Sequence, residues 1–469
     1  MPWREVSLMT KSMHKLLAFS LTGLILACGS ISSAIAAEPN NLTTASDFRS
    51  SGLTGDTLED FFTAAMNYSP RLKIAEENMN IGSARKRAAN GNLLPQVNAN
   101  ASLSDNRQNA LGQLRTFDGE RFSIQLTQVL FNWQAFSQRN QAYLIEDKLE
   151  AEYYGTLAWL LTEVADRYLN VLQAQDALQS IESELDAITN QLAQIQSLYD
   201  RQLAQITDLY LAQASLAAVQ SDQINLQSEL ALRQETLRSI TGLSVGALFQ
   251  LGDEAEIPAV TGNIEYWVEQ ARINNHQIVA SQFALEAAEE RISERRGAYM
   301  PRVTFIVQRQ DSDVGFDNTP VARTDNTYVG FDVSIPLYAG GSNRAAVSEA
   351  NSMRSIAESE LRQVRLDANE NVRSAYLQVQ SSSARTDSAR KLVESRVLSA
   401  AAMQQGFELG VVTSVDVLNA LRDQYQAERD LQRARYDHVR YLLILKRETG
   451  TLVADDMLEV GNLLIAPVN

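Results

Sequence analysis

The sequence predicts a mostly α-helical protein with a small β part, internally duplicated, in which long coiled-coil hairpins alternate with four membrane-type β-strands. Three observations carry that reading: landmarks recur at a fixed spacing, heptads run for unusual lengths, and short segments alternate cleanly between apolar and polar residues. Pro95 recurs as Pro301, 206 positions on, and Phe131 as Tyr338, 207 on. Tyr168 recurs as Tyr376, Asp208 as Asp416 and Thr241-Gly242 as Thr449-Gly450, each displaced by 208. Self-similarity at a fixed period marks a repeated architecture, so the 469 residues form one body with pseudo-two-fold internal symmetry rather than several unrelated domains.

The order of elements begins with an export signal. Arg4, Lys11 and Lys15 precede an apolar run from Leu16 to Ala27, and Ala34-Ile35-Ala36 stands before Ala37. A basic start, a short apolar core and a small-residue site define a secretory signal over 1–36. Cys28, the single cysteine, follows Ile25-Leu26-Ala27, which loosely resembles a lipoprotein cleavage box with Leu26 a poor fit; it is either lipidated or discarded with the signal. Loss of 1–36, with its three bases against Glu5, takes the formal charge from −16 to −18 and leaves nucleic acid an unsuitable partner. No stretch after the signal reaches the 18 or so uninterrupted apolar residues of a spanning helix.

Residues 37–54, rich in Ser, Thr, Asn and Gly, read as a flexible leader. The first structural repeat occupies 55–242: helical patterning from Leu58, Phe61, Phe62 and Ala65, a stop at Ser69-Pro70, and resumption to about Asn90. Its strand pair is expected at about 95–104 and 121–131. Val97, Ala99, Ala101 and Leu103 alternate with Gln96, Asn98, Asn100 and Ser102, as Phe122, Ile124 and Leu126 do with Ser123, Gln125 and Thr127. A helix then runs from Trp133 to about Tyr199, its apolar residues stepping four, three, four, three from Leu157 onward. That spacing implies a left-handed coiled coil of roughly 100 Å. A turn near 203–206 precedes a returning helix that Thr241-Gly242 ends.

Residues 243–262 connect the repeats, and 263–450 restate the pattern. Helical segments around Tyr266, Trp267 and Ala271 and from Ile278 to about Arg296 precede strands at about 301–309 and 327–338. The second hairpin descends from Ser342 to Gln405, turns over Gly406–Thr413 and returns from Ser414 to Glu448; 451–469 form a tail. Polar segments Asp105–Gly119 and Gln310–Asn326 are expected as exposed loops at the far membrane surface. A soluble sandwich would alternate as well, but the signal and the neighbouring rods favour membrane strands. Strands of about ten residues suit a tilted crossing of lipid. Four of them cannot close a barrel without leaving unpaired peptide groups in lipid, so oligomerisation is required. Aromatic Phe122, Phe131, Trp133, Phe305, Tyr328 and Tyr338 sit where an interfacial girdle would lie.

From about Leu58 to Gly450 the order of these elements resembles that of the TolC-type outer-membrane efflux proteins. Asn67-Tyr68-Ser69-Pro70-Arg71-Leu72, Leu94-Pro95-Gln96-Val97, Ser334-Ile335-Pro336-Leu337-Tyr338-Ala339-Gly340-Gly341 and Val415-Asp416-Val417-Leu418-Asn419-Ala420 look like that family's recurring segments. The resemblance implies a homotrimer whose β-barrel in outer-membrane lipid joins a periplasmic α-helical tunnel. It further implies an exit duct for tripartite efflux or type I secretion, opened by a periplasmic adaptor (membrane fusion) protein and an inner-membrane ABC or proton-driven transporter. It places the periplasmic gate at the hairpin tips: Asp416 matches an acidic constriction, while Asn419 stands where a second acid is expected. Thr207 and Asp208 match a Thr-Asp pair whose Tyr and Arg partners are here Phe407 and Val412. A closed state held by apolar Phe407, Val411 and Val412 is therefore expected.

Catalysis finds little support. His14 leaves with the signal, His276 and His438 stand apart, and no P-loop, nucleophile elbow or dinucleotide fingerprint occurs. Gly340-Gly341 lacks the Lys-Ser/Thr of a phosphate loop and reads as a turn at the barrel rim. No cofactor or metal is expected. The rival reading is a periplasmic coiled-coil scaffold or adaptor without a pore. Cargo and transporter class leave no mark in the sequence.

Overall fold

The computed structural model describes residues 57–110, 113–252, 255, 257–258, 260–315 and 319–466. The signal at 1–36, Cys28 and the leader at 37–54 lie outside the described residues.

Local chemistry sets the helix boundaries. Helix α1 (Leu58–Tyr68) starts with a reciprocal capping box between Thr57 and Asp60. Ser69 ends α1, then caps α2 (Pro70–Gly91), whose Pro70 fills the one helical position where a missing N–H costs nothing. In the second repeat Asn275 plays the same double part between α5 (Ile264–Asn274) and α6 (His276–Gly297), its Oδ1 accepting from the N–H groups of Gln277 and Ile278. The outgoing rods are α3 (Trp133–Asp200, 68 residues) and α7 (Ser342–Glu408, 67 residues). The returning helices α4 (Ile206–Thr241) and α8 (Ser414–Glu448) have 36 and 35 residues, about half that length. Consequently α4 and α8 pair with the far halves of the rods, while α2 and α6 pack beside the near halves.

Between α2 and α3 run β1 (Gln96–Ala110) and β2 (Gln113–Asn132); β4 (Arg302–Val314) and β5 (Pro320–Ser334) occupy the same place in the second repeat. They form one antiparallel sheet in the order β1-β2-β4-β5. The expected loops Asp105–Gly119 and Gln310–Asn326 are corrected: the β1–β2 ladder continues to Ala110↔Gln113, and β4 and β5 are joined by residues 315–319. Their polarity misled, because strands that rise beyond lipid keep their backbone pairing while both faces turn polar. The expected strand end at 338 is also corrected: β5 stops at Ser334 because Pro336 has no N–H to donate. Likewise α7 runs through Gly406 to Glu408, leaving a shorter turn at 409–413.

Two small features had no sequence signal. A short strand β3 (Gln250–Leu251) in the connection pairs with β6 (Leu464–Ile465) in the tail, and helix α9 (Ala454–Asn462) precedes β6. Strands of two residues carry no period to detect.

The core has two main levels. Midway along the rods Leu58, Phe61, Tyr168, Leu172, Leu237, Leu248, Tyr436, Leu443 and Leu464 gather α1, α3, α4, α8 and the tail. Phe61 meets Tyr168 edge-on at 5.8 Å, and the buried Tyr168 hydroxyl donates to the Phe249 carbonyl at 3.0 Å. Toward the tips Ile181, Ile188, Ile195, Leu209, Ala212, Val219 and Leu418 make a second cluster.

Candidate functional site

The sheet has two chemically distinct faces, fixed by its register. On one, Val97, Ala99, Ala101 and Leu103 of β1 adjoin Phe122, Ile124 and Leu126 of β2, then Val303, Phe305 and Val307 of β4 and Val329, Phe331 and Val333 of β5. The other presents Gln96, Asn98, Asn100, Ser102, Ser104, Ser123, Gln125, Thr127, Gln308, Gln310, Asn326 and Thr324. Toward the loop end Ser104, Asn106 and Gln108 are half-buried while Asp105, Arg107 and Asn109 are exposed, and Ser312 and Val314 are buried. The polar face is therefore the concave one. Gly119 belongs to it, and only the absence of a Cβ there leaves room for Val314 to lie across the sheet.

Strands β1 and β5 are the two edges, and among the described residues neither has a partner on its outer side. No described helix is long and apolar enough to cross a membrane. Phe331, 65% exposed, meets Phe305 at a tilt of 45° with centroids 5.3 Å apart on the apolar face.

The expected interface aromatics divide. Phe122 lies at the outer limit of the apolar band, since beyond it on that face come Glu120 and Asp118. Phe131 meets Phe136 edge-on at 6.3 Å and Trp133 donates its indole N–H to Ser293 at 3.0 Å, both where the strands pass into helices. Tyr328 is corrected: it pairs with Gln308 on the polar face and its ring covers Gly330, so it does not face lipid. Tyr338 lies past the end of β5, in a segment without regular structure beside Leu337, which is 92% exposed. Phe331, which alternates in phase with Val329 and Val333, is an apolar-face aromatic that the expected interface set lacks.

At the far end of the rods the two tips share one turn. Val411 N–H bonds the Gly406 carbonyl at 2.9 Å and Leu203 N–H the Leu198 carbonyl at 2.8 Å, each pair displaced by the same 208 positions. Gly410 holds the left-handed position of this Schellman turn with φ 75°, and Gln202 its equivalent with φ 61°. Val412 folds back on Gly406, where a Cβ would stand 2.5 Å from its methyl. Phe407 packs into the cluster of Ile195, Leu209 and Leu418, tying the two hairpins together. Val411 is 77% exposed.

The acidic tip residues differ from one another. Asp416 forms a capping box, its carboxylate accepting from the Thr413 hydroxyl at 2.5 Å and the Thr413 N–H at 3.3 Å, while its own N–H donates to that hydroxyl. It remains exposed, as does Asn419 one turn further on. Asp208 sits in the first turn of α4, where Gln205 supplies no side-chain cap, and the Thr207 hydroxyl bonds Gln205 at 3.3 Å. Of the two equivalent aspartates, Asp416 is the one that caps its helix.

Polar contacts that the sequence did not signal join α3 to α8 along their length. Arg429 reaches Glu184 at 2.7 Å, Tyr436 donates to Asp176 at 2.6 Å, and Arg440 engages Asp166 and Asn170. Burial raises Glu184 above the usual carboxylate range despite Arg429.

A model of the family described as outer membrane efflux protein matches residues 63–243 and 267–451, one segment per repeat. The outer membrane protein TolC of Vibrio cholerae is 26% identical over 416 residues, covering 88% of this chain and 94% of that one. The alkaline protease secretion protein AprF of Pseudomonas aeruginosa is 24% identical over 415 residues, covering 85% of each. The crystal structure of the outer membrane protein VceC from Vibrio cholerae superposes with a TM-score of 0.71 at 17% identity, over 84% of this chain and 96% of that one.

Proposed function

The chain belongs to the outer membrane efflux protein family, and we propose that three copies close a twelve-stranded barrel in the outer membrane above a helical periplasmic tunnel. One observation carries this reading: a sheet with an apolar convex face ends in two unpaired 15-residue edges, β1 and β5. In lipid such edges are untenable unless β5 of one subunit meets β1 of the next. Three subunits at four strands each give a barrel wide enough for water, and rods of roughly 100 Å carry its wall into the periplasm.

The protein acts as the outer-membrane exit duct of an efflux or type I secretion system. A periplasmic adaptor and an inner-membrane transporter, ABC-type or proton-driven, open it and choose its cargo. The gate lies at the tips, with Asp416 and Asn419, exposed on the second hairpin, as its axial constriction. Phe407, packed against the first hairpin, and Val412, folded on Gly406, hold it closed in place of a polar latch at Thr207 and Asp208.

Planar-bilayer recording tests the duct. Purified protein should insert from detergent and conduct in small steps, consistent with a mostly closed tip. A water-soluble protein that never conducts would support the scaffold reading instead.

A further inference from the structure

The two faces of the sheet balance their arginines differently. On the convex face Arg309 is neutralised by Asp325 at 2.6 Å, and Arg323 by Asp311 at 2.8 Å with Glu120 at 3.6 Å, leaving Arg107, opposite Thr116, as the convex arginine without an ion pair among the described residues. Register places Arg115 (opposite Gln108), Arg121 (opposite Ser102 and Ser312) and Arg302 (opposite Ser334) on the concave face. None of these three takes part in an ion pair among the described residues. Arg121 donates one Nη to the Gly315 carbonyl at 3.1 Å while its buried Nε has no partner, and Arg302 reaches Gln134 at 3.4 Å. Among the described residues the one acid of that face is Asp332, opposite Thr304. The rest of the wall is mainly amide and hydroxyl, with Phe117, Ile306 and Val314 as neutral apolar members, so nothing else on it cancels the arginines.

We propose that the barrel lumen is an anion-attracting segment, with Arg115 and Arg121 near the outer mouth and Arg302 at the inner rim, so that the last stage of transit favours cargo bearing carboxylates or phosphates. The inference rests on the trimeric-duct reading, which makes the concave face the lumen. Three copies then set nine arginines against three Asp332 carboxylates on the inner wall, although the chain as a whole carries a formal charge of −16. Unpaired charge on a confined wall concentrates counter-ions within a Debye length, about 8 Å at physiological salt and more at low salt. The exposed acids at the periplasmic tip act in the opposite sense, so the two ends of the duct differ in ionic preference.

Single-channel recording at low ionic strength separates these contributions. In a KCl gradient, Arg115→Gln/Arg121→Gln should move the reversal potential toward cation preference with little change in conductance. Tripolyphosphate added at the outer mouth should block the wild type and lose about tenfold in potency on the double variant. Glutamine keeps an amide donor for the Gly315 carbonyl, and Arg121→Gln alone should give an intermediate shift. Conducting double-variant channels with unchanged reversal potential and unchanged block would overturn the anionic preference while leaving the duct intact. Wild-type protein that forms no channels would overturn the duct, and this inference with it.

Discussion

Glu184 and Arg429 meet at 2.7 Å in the seam between the first and second hairpins, their side chains only 2% and 16% exposed. Buried partners of this kind are costly to separate because the survivor is left charged without water. Arg429→Ala should therefore cost about 3–5 kcal/mol, read as a lowered midpoint or a shortened half-life on heating. Glu184→Leu/Arg429→Met should be markedly less harmful than Arg429→Ala. A double variant as unstable as the single one would show that the pair is worth more than its desolvation.

His438 gives the second hairpin a pH dependence. Its Nδ1 lies 2.8 Å from the Ser382 hydroxyl between α7 and α8, and burial lowers its pKa, with Asp387 opposing. A depressed histidine contributes stability above its unfolded value of about 6.5, and that stability is lost as pH falls toward the folded value. Wild type should lose more thermal stability between pH 7.5 and 5.5 than His438→Asn, which can still bond Ser382 but does not titrate. Equal losses would remove His438 from the account.

Gln202 stands where Gly410 stands in the other tip, in a backbone region that penalises a Cβ. Gln202→Gly should stabilise by about 1 kcal/mol, whereas Gly410→Gln should destabilise. Thermal midpoints of the two variants should shift in opposite directions.

The gate makes two predictions that stability alone does not register. Val412→Arg restores the arginine that the family resemblance pairs with Thr207 and Asp208, and it should lower closed-state conductance in a planar bilayer. No change would count against a contribution of Val412 to closure. Asp416→Ala should remove the capping box, at about 1 kcal/mol, and also weaken cation selectivity and multivalent-ion block. If only stability falls, Asp416 is a helix cap and nothing more.

Much of the architecture was legible because long periodic segments leave strong signals. The rods from Trp133 and Ser342, the breaks at Ser69 and at the second repeat's equivalent, and the stops at Gly242 and Gly450 all follow from heptads and caps. The outer halves of the strands were hidden because Asp105–Asn109 is polar on both faces, and Tyr328 was grouped with the interface aromatics although its alternation with Val329 puts it on the polar face. At the tips the residues were readable but their bonds were not: whether Asp208 or Asp416 caps its helix depends on backbone geometry that spacing does not fix. The Glu184–Arg429 and Asp176–Tyr436 contacts join positions some 250 residues apart, which no local pattern can announce.

The mass of the native particle tests the central claim most directly. Native mass spectrometry of the protein extracted from outer membranes in mild detergent should give three copies of the processed chain, collapsing to one on heating in denaturant. A single copy that stays folded and soluble after the detergent is removed would contradict it, because one subunit leaves both edges of the sheet open.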